Sequence, residues 1–479
     1  MRSLALAGAL VALGIAFFAV RPATTPGPVM RDFEAYYAAG SSRLVGDDPY
    51  SREIWRAERR VPGVIASRDE LLPFAGPPFG LPLWEMLAQL DYAHATLVWG
   101  AVLALAFVTL SLGSLAIASG PIAPREWLAV LVLGGAFGPL TSGMALGQVA
   151  VMASAATIGT LLLLRLRNLL PAAFCASLAG LQPNIGITLA AALRDRRTAI
   201  ALGFAATIAV GGSALELGGF APLLRYLALL REHAGAERFI AIQTTPSAVA
   251  RALGADGWVA QTIAIALAVA VLVALVAQCL SRRYDQAGCV ALACAAAPLA
   301  LPFAHEHDFT IAFFPAVVCL RRGAGVWRLW SVAATLAVAV DWLGLAQRPS
   351  GLPATLWLAL AAALAAFAIV PWSPRPLHLL ALPAVAGAVA LAGAFAVAHP
   401  LTVWPDALPP AFHAALTLAP AEVWRQEQLA SGIARLDPVW GALRLVPLAG
   451  CAVLWSIASF SLRSQPTNLP PADREPRPR

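Results

Sequence analysis

Apolar runs of about twenty residues recur along the whole chain, and no other feature restricts its fold as strongly. A run of that length spans the hydrocarbon core of a bilayer as an α-helix. Of 479 residues, 59% are hydrophobic and only 12% charged, against about a quarter charged in a soluble protein. The runs do not alternate apolar and polar positions as outer-membrane barrel strands do. The expected class is therefore an all-α, polytopic membrane protein.

The net charge is +7 and its basic part is entirely arginine. In a soluble domain that balance points to nucleic acid. Here the arginines sit in short loops between apolar runs, as the positive-inside bias predicts, so no nucleic-acid partner is expected. The six cysteines, Cys175, Cys279, Cys289, Cys294, Cys319 and Cys451, lie in or beside apolar runs. None has metal-ligand spacing, and they read as small core residues.

Arginine placement orders the runs. Arg2 puts the N-terminus inside, and 3–20 reads as a retained anchor in preference to a cleaved leader. Residues 21–91 then form an outer loop, with an amphipathic surface helix over 32–45 and a second, strongly charged one over 51–60. Crossings follow at 93–118, 127–141, 148–164, 198–217, 258–280, 287–304, 309–320, 327–345, 353–370, 377–398 and 441–462. With the anchor they make about twelve. The run 169–193 differs: one crossing would leave Arg194, Arg196 and Arg197 outside, against the bias. A broken pair of short helices turning at Gln182-Pro183-Asn184 keeps them inside and faces Gln182 and Asn184 into an internal cavity. An ordinary proline kink is the alternative. Arg282 and Arg375 fall inside on this scheme, and 218–257 and 399–440 are further outer loops. Residues 1–462 read as a single membrane domain, and the Pro- and Arg-rich tail 463–479 as disordered.

The polar residues of the outer side then fall into three groups: Asp32, Glu34, Tyr36 and Tyr37; Arg225, Arg231, Arg238 and Arg251; and His305-Glu306-His307-Asp308. Carboxylates beside arginines suit a general base next to an anion site. The base must be ionised and within reach of the hydroxyl it activates. A departing phosphate needs donors that strengthen as charge develops, which the planar, always charged guanidinium provides. Each group has a plainer reading. Asp32 suits the N-cap of the helix that follows, Tyr36 and Tyr37 suit interfacial anchors, and Asp308 suits a second cap. His305 and His307 are metal-ligand types, but positions i and i+2 diverge on a helix, so no metal is expected.

Read in order, Asp32-Phe33, Tyr36-Tyr37-Ala38-Ala39 and Leu44-Val45-Gly46-Asp47-Asp48-Pro49-Tyr50 resemble the first outer loop of the family-87 glycosyltransferases, members of the GT-C superfamily. Gly76-Pro77-Pro78-Phe79 is similar to the family's Tyr-Pro-Pro element in altered form. Gly147-Gln148 is similar to its Gly-Gln pair. Gly180-Leu181-Gln182-Pro183-Asn184 resembles its Gly and Lys-Pro segment, with Gln182 where Lys is often found. Gln243-Thr244-Thr245-Pro246-Ser247 through Arg251 resembles a later element ending in Arg, and His305-Glu306-His307-Asp308 loosely echoes a last outer motif. The likeness covers most of 1–400. It implies a GT-C-like fold and transfer of a sugar, often mannose or arabinose, from a polyprenyl-phosphate carrier to a hydroxyl outside the cytoplasmic membrane. Asp32 would be the base of an inverting transfer, with Tyr36, Tyr37, Gln148, Gln182, Asn184, Arg251, His305 and His307 binding donor or substrate. Partners would be a lipid-linked sugar donor, a glycolipid or glycan acceptor and membrane lipids; no cofactor beyond the donor is expected. The competing classes are a secondary transporter or lipid flippase of the cell envelope, which places ionisable groups at mid-membrane, and a non-catalytic envelope-assembly subunit. Here the ionisable residues lie mainly in outer loops, with Asp341 near a helix end.

Overall fold

The computed structural model describes residues 2–19, 27–118, 122–281, 283–371, 376–415 and 417–462. Arg21, Arg282, Arg375 and the tail 463–479, each assigned a place above, lie outside the described residues. The described chain is all-helical, without a strand. Six helices are long and apolar enough to cross a membrane: Arg2–Ala19, Tyr92–Ile117, Arg196–Glu216, Gly257–Leu280, Pro349–Ile369 and Pro438–Ser461. A bent pair, Pro124–Gly135 and Gly138–Leu146, makes a seventh if counted as one span. This is a multi-pass membrane protein.

Six or seven such helices differ from the expected twelve, and the reason is physical. Several apolar runs form helices shorter than the roughly 20 residues a bilayer demands, among them Val149–Arg165, Leu169–Ala179 and Gln286–Ala300. Every residue from Ala287 to Leu299 is buried against protein. By contrast, only 6% of the apolar window of Gly257–Leu280 is buried. A run packed against other helices and a run facing lipid have the same composition. The expected crossing at 127–141 is the bent pair, broken by 62° near Gly135 and Gly138. The run 309–320 begins as a 3-10 turn, Glu306–Ala312, before the short helix Phe313–Arg322.

The expected break at 182–184 is present. The Leu169–Ala179 helix stops, and a new one starts at Pro183. The helix expected over 32–45 is Phe33–Leu44, but it packs into the protein and not onto a membrane surface. Phe33, Glu34, Ala35, Ala38 and Ala39 are buried along it.

The loops gather into two groups. At one end Arg165 donates to the Ile117 carbonyl (3.3 Å) and Arg322 to that of Ala118 (2.8 Å), while Arg321 binds Glu126 (2.8 Å). At the other end, residues 48–75 and 399–440 close over one another. Asp69 accepts from Arg59 (3.0 Å) and from the Ala414 backbone (2.8 Å). Arg68 binds Glu70 at 3.0 Å and donates to the Pro405 and Leu408 carbonyls. Glu427 accepts from the Leu71 backbone and from Trp404 Nε1, each at 2.9 Å. These ties join the two segments into a cap.

Candidate active site

Asp32 is positioned by two helix ends. Its own N–H donates to the Leu146 carbonyl at 2.9 Å, where the Gly138–Leu146 helix stops. The stop is Gly147, in the left-handed region at φ 77°. A Cβ there would lie 2.7 Å from Phe33 Cβ and 2.8 Å from Met30 Cβ, so only glycine lets the two segments close. Trp99 Nε1 ties the Gly147 carbonyl at 2.8 Å, and its ring stacks on Phe33 at 5.8 Å. Gln148 then turns extended, and its amide donates to Asp32 Oδ2 at 2.5 Å. Asp32 stands at the N-cap position of Phe33–Leu44, yet its carboxylate accepts nothing from that helix. Gln148 holds it instead.

Tyr36 lies one turn further on. Its ring rests on Trp84 at 4.7 Å and meets Phe74 edge-on at 5.9 Å. Burial pushes its phenol pKa up, and the nearby charges of Asp32 and Asp308 push it further. Asp32 and Asp308 thus lie within electrostatic reach of the same hydroxyl, from segments far apart in sequence.

Asp308 is held at both oxygens. Oδ1 accepts from Gln182 Nε2 at 2.9 Å, and Oδ2 from the His305 backbone at 2.9 Å. The break at Gln182 therefore delivers an amide to this carboxylate, in place of a helical hydrogen bond. The expected cluster 305–308 divides. Glu306 turns away and accepts from the Trp342 and Leu343 backbones at 2.8 and 2.7 Å, capping another helix. His307 stays with the site, with its ring 5.3 Å from that of His305 and no hydrogen-bond partner among the described residues. Burial pushes its pKa down, so its imidazole is neutral near pH 7.

His305 meets a residue the sequence did not single out. Its Nε2 lies 3.2 Å from Glu237 Oε2. Glu237 ends the Phe220–Glu237 helix and is 3% exposed. The same carboxylate accepts from Trp424 Nε1 at 2.5 Å and from Gln243 Nε2 at 3.2 Å, with His233 Nε2 at 3.4 Å. Burial alone would raise the Glu237 pKa. The charge of His233, with the hydrogen bonds of His305 and Trp424, outweighs it and holds Glu237 down to about 2. His305 responds in kind: burial opposes its charge, but the bond to Glu237 and the charges of Glu237, Asp308 and Asp32 raise its pKa.

The structure therefore brings together Asp32, Tyr36, Gln148, Gln182, His305 and His307, and adds Asp308 and Glu237. Two expected residues, Tyr37 and Arg251, have other placements. Tyr37 donates to the Leu90 carbonyl at 2.8 Å and packs edge-on against Tyr92. Arg251 donates to the Ala255 carbonyl at 2.9 Å, closing the end of its own helix. Asn184 keeps a buried Oδ1 without a hydrogen-bond partner. Arg225, Arg231 and Arg238 are exposed on or beside the Phe220–Glu237 helix. Among the described residues, no group of three or more His, Cys, Asp or Glu side chains is arranged to hold a metal.

Residues 74–302 match the family model described as glycosyltransferase family 87. This is the family that the motifs resemble. The matched stretch includes Gln148, Gln182, Glu237 and Gln243, and stops just before His305. No curated protein and no solved structure matches the chain. The family-87 match indicates a membrane glycosyltransferase, which implies a sugar donor and a glycan or lipid acceptor.

Proposed function

We propose that the protein transfers a hexosyl or pentosyl group, mannose foremost, from a polyprenyl-phosphate carrier to an acceptor hydroxyl. The acceptor is a glycolipid or glycan on the extracytoplasmic side of the cell membrane. Asp32 takes the acceptor proton as the hydroxyl oxygen attacks the anomeric carbon from the face opposite the phosphate. The bond from that carbon to the phosphate oxygen breaks, the carrier leaves as polyprenyl phosphate, and the sugar is inverted. A carboxylate suits this work because it is ionised near neutrality and accepts one proton per turnover.

The observation that carries this reading is the state of Asp32: its carboxylate is held by one side-chain amide, uncommitted to its helix, beside Tyr36 and within electrostatic reach of His305. A purely structural cap would have given its oxygens to backbone N–H groups. His305 and His307 supply the donors for the leaving phosphate in this reading. The match to a glycosyltransferase family supports transfer over transport.

The test is Asp32→Asn in membranes supplied with a labelled polyprenyl-phosphate sugar. Loss of a general base lowers the rate by about 100- to 10,000-fold, so transfer should fall by that order while the protein folds normally. Transfer at the wild-type rate would remove Asp32 from the mechanism.

A further inference from the structure

Glu237 is the most heavily solicited carboxylate of the site. Four side chains turn nitrogens toward it: His305, Gln243, His233 and Trp424. They come from three separate stretches: the 220–257 region, the segment before the Phe313–Arg322 helix, and the Pro420–Ser431 helix of the cap. A buried carboxylate is ordinarily expensive. One that collects four donors is being used to orient them.

The protonation pattern follows from Gln243. Its Oε1 accepts from the Ala304 backbone at 3.1 Å, which fixes the amide the other way round, with Nε2 toward Glu237 Oε2. His305 Nε2 lies 3.0 Å from that Nε2 and 3.2 Å from the same oxygen. A bare Nε2 could accept the second amide hydrogen of Gln243 at 3.0 Å, but it would then turn its lone pair to Glu237 Oε2 at 3.2 Å. A bare ring nitrogen facing the carboxylate would be repelled by it. His305 therefore carries its hydrogen on Nε2, turned inward. Nδ1, on the opposite edge of the ring, has no hydrogen-bond partner among the described residues.

We infer that Glu237 is a positioning residue for His305: it fixes the ring with Nε2–H inward and leaves Nδ1 to bind the departing phosphate of the donor. This rests on the transfer reading above. A carboxylate behind a histidine sets the tautomer and strengthens the base, the same physics by which a carboxylate orients a catalytic or metal-bound imidazole. Charge makes the device necessary. The groups facing His305 are Glu237 and His233 from the Phe220–Glu237 helix, Asp308 and His307 from its own segment, and Asp32. Arg251, the expected cation, is spent on its own helix end. A phosphate arriving among Asp32 and Asp308 meets a protonated His305 only if something sustains that proton, and Glu237 does so.

The decisive measurement titrates His305 itself. Diethyl pyrocarbonate modifies neutral imidazole, so its rate at His305, read by mass spectrometry of the full-length protein in nanodiscs, gives the midpoint without any assay of transfer. In the wild type that midpoint should lie above the usual value of about 6.5. Glu237→Gln should lower it by about one pH unit or more, and Glu237→Asp should restore part of the shift. Trp424→Phe, which frees Glu237 of one competing donor, should move it upward; general loosening of the fold would move both variants the same way. If transfer is detected, the alkaline limb of its rate should shift down in Glu237→Gln by the same amount. A wild-type midpoint at or below 6.5, or equal midpoints in wild type and Glu237→Gln, overturns the inference. Failure of the wild type to transfer any polyprenyl-phosphate sugar, with these midpoints as expected, would instead count against the transfer reading.

Discussion

Gly147 and Gln148 are neighbours with separate duties toward Asp32. Gly147 supplies a backbone that bends left-handed and tolerates Phe33 and Met30 at contact; Gln148 supplies the amide that holds the carboxylate. An alanine at 147 meets both obstacles at once. The left-handed conformation alone costs a residue with a Cβ about 1–2 kcal/mol, and the 2.7 Å approach to Phe33 Cβ adds to it. Gly147→Ala should therefore lower the thermal midpoint in detergent by several degrees and loosen Asp32. A midpoint equal to the wild type would show that the two segments part without penalty. Asp32 was legible in the sequence because it stands in a short polar island just past the first apolar run; the Gly147-Gln148 pair was legible only through the family resemblance. Glu237 was not. It sits among Arg231, Glu232 and Arg238 on an amphipathic helix, and nothing in that pattern says which acid turns inward. Only the fold brings His305, far along the chain, to its side chain.

At the scale of elements, the cap is the part that sequence reading handled least well. Residues 48–75 and 399–440 were placed on one side of the membrane from charge alone, but nothing linked them. The link is Arg68, only 4% exposed, which joins Glu70 to the Pro405 and Leu408 carbonyls. Removing one partner from a buried charged network costs about 3–5 kcal/mol, because the other charge is left without compensation. Arg68→Ala should thus leave the helical bundle folded and free the 399–440 segment. Hydrogen exchange there should accelerate about 100-fold or more, while exchange in Gln286–Ala300 stays slow. Equal protection in both variants would mean the cap is held elsewhere. The broken helix at Gln182 could be read from Pro183 and the arginines after it, with an ordinary proline kink as the alternative. The number of spans could not, because burial in protein and burial in lipid select the same residues.

The whole molecule carries buried acids of opposite habit, and together they set its pH range. Glu34 lies against Arg31 at 3.0 Å, yet burial raises its pKa from 4.5 to about 8. Burial raises Glu427 to about 8 as well, against the hydrogen bonds it accepts from Leu71 and Trp404. Glu237 goes the other way, to about 2. The signs follow from proton binding. Glu34 and Glu427 bind their protons more tightly folded than unfolded, so their contribution is complete below about 4.5 and is lost as pH rises through about 8. Glu237 binds its proton more weakly when folded. Its contribution is complete above about 4.5 and is lost as pH falls toward about 2. Stability should therefore peak near pH 5 and decline steadily toward pH 9, and the decline should belong to the cap and the Phe33–Leu44 helix. Glu34→Gln keeps the neutral shape and removes one titration, so it should flatten the alkaline decline while leaving the acid side unchanged. Thermal unfolding of both proteins between about pH 4 and 9 measures this directly. A wild-type midpoint that stays level from pH 6 to 9, and does so equally in Glu34→Gln, would show these carboxyls to be ionised throughout. The Arg31–Glu34–Glu70 cluster would then be a fully charged network holding the cap.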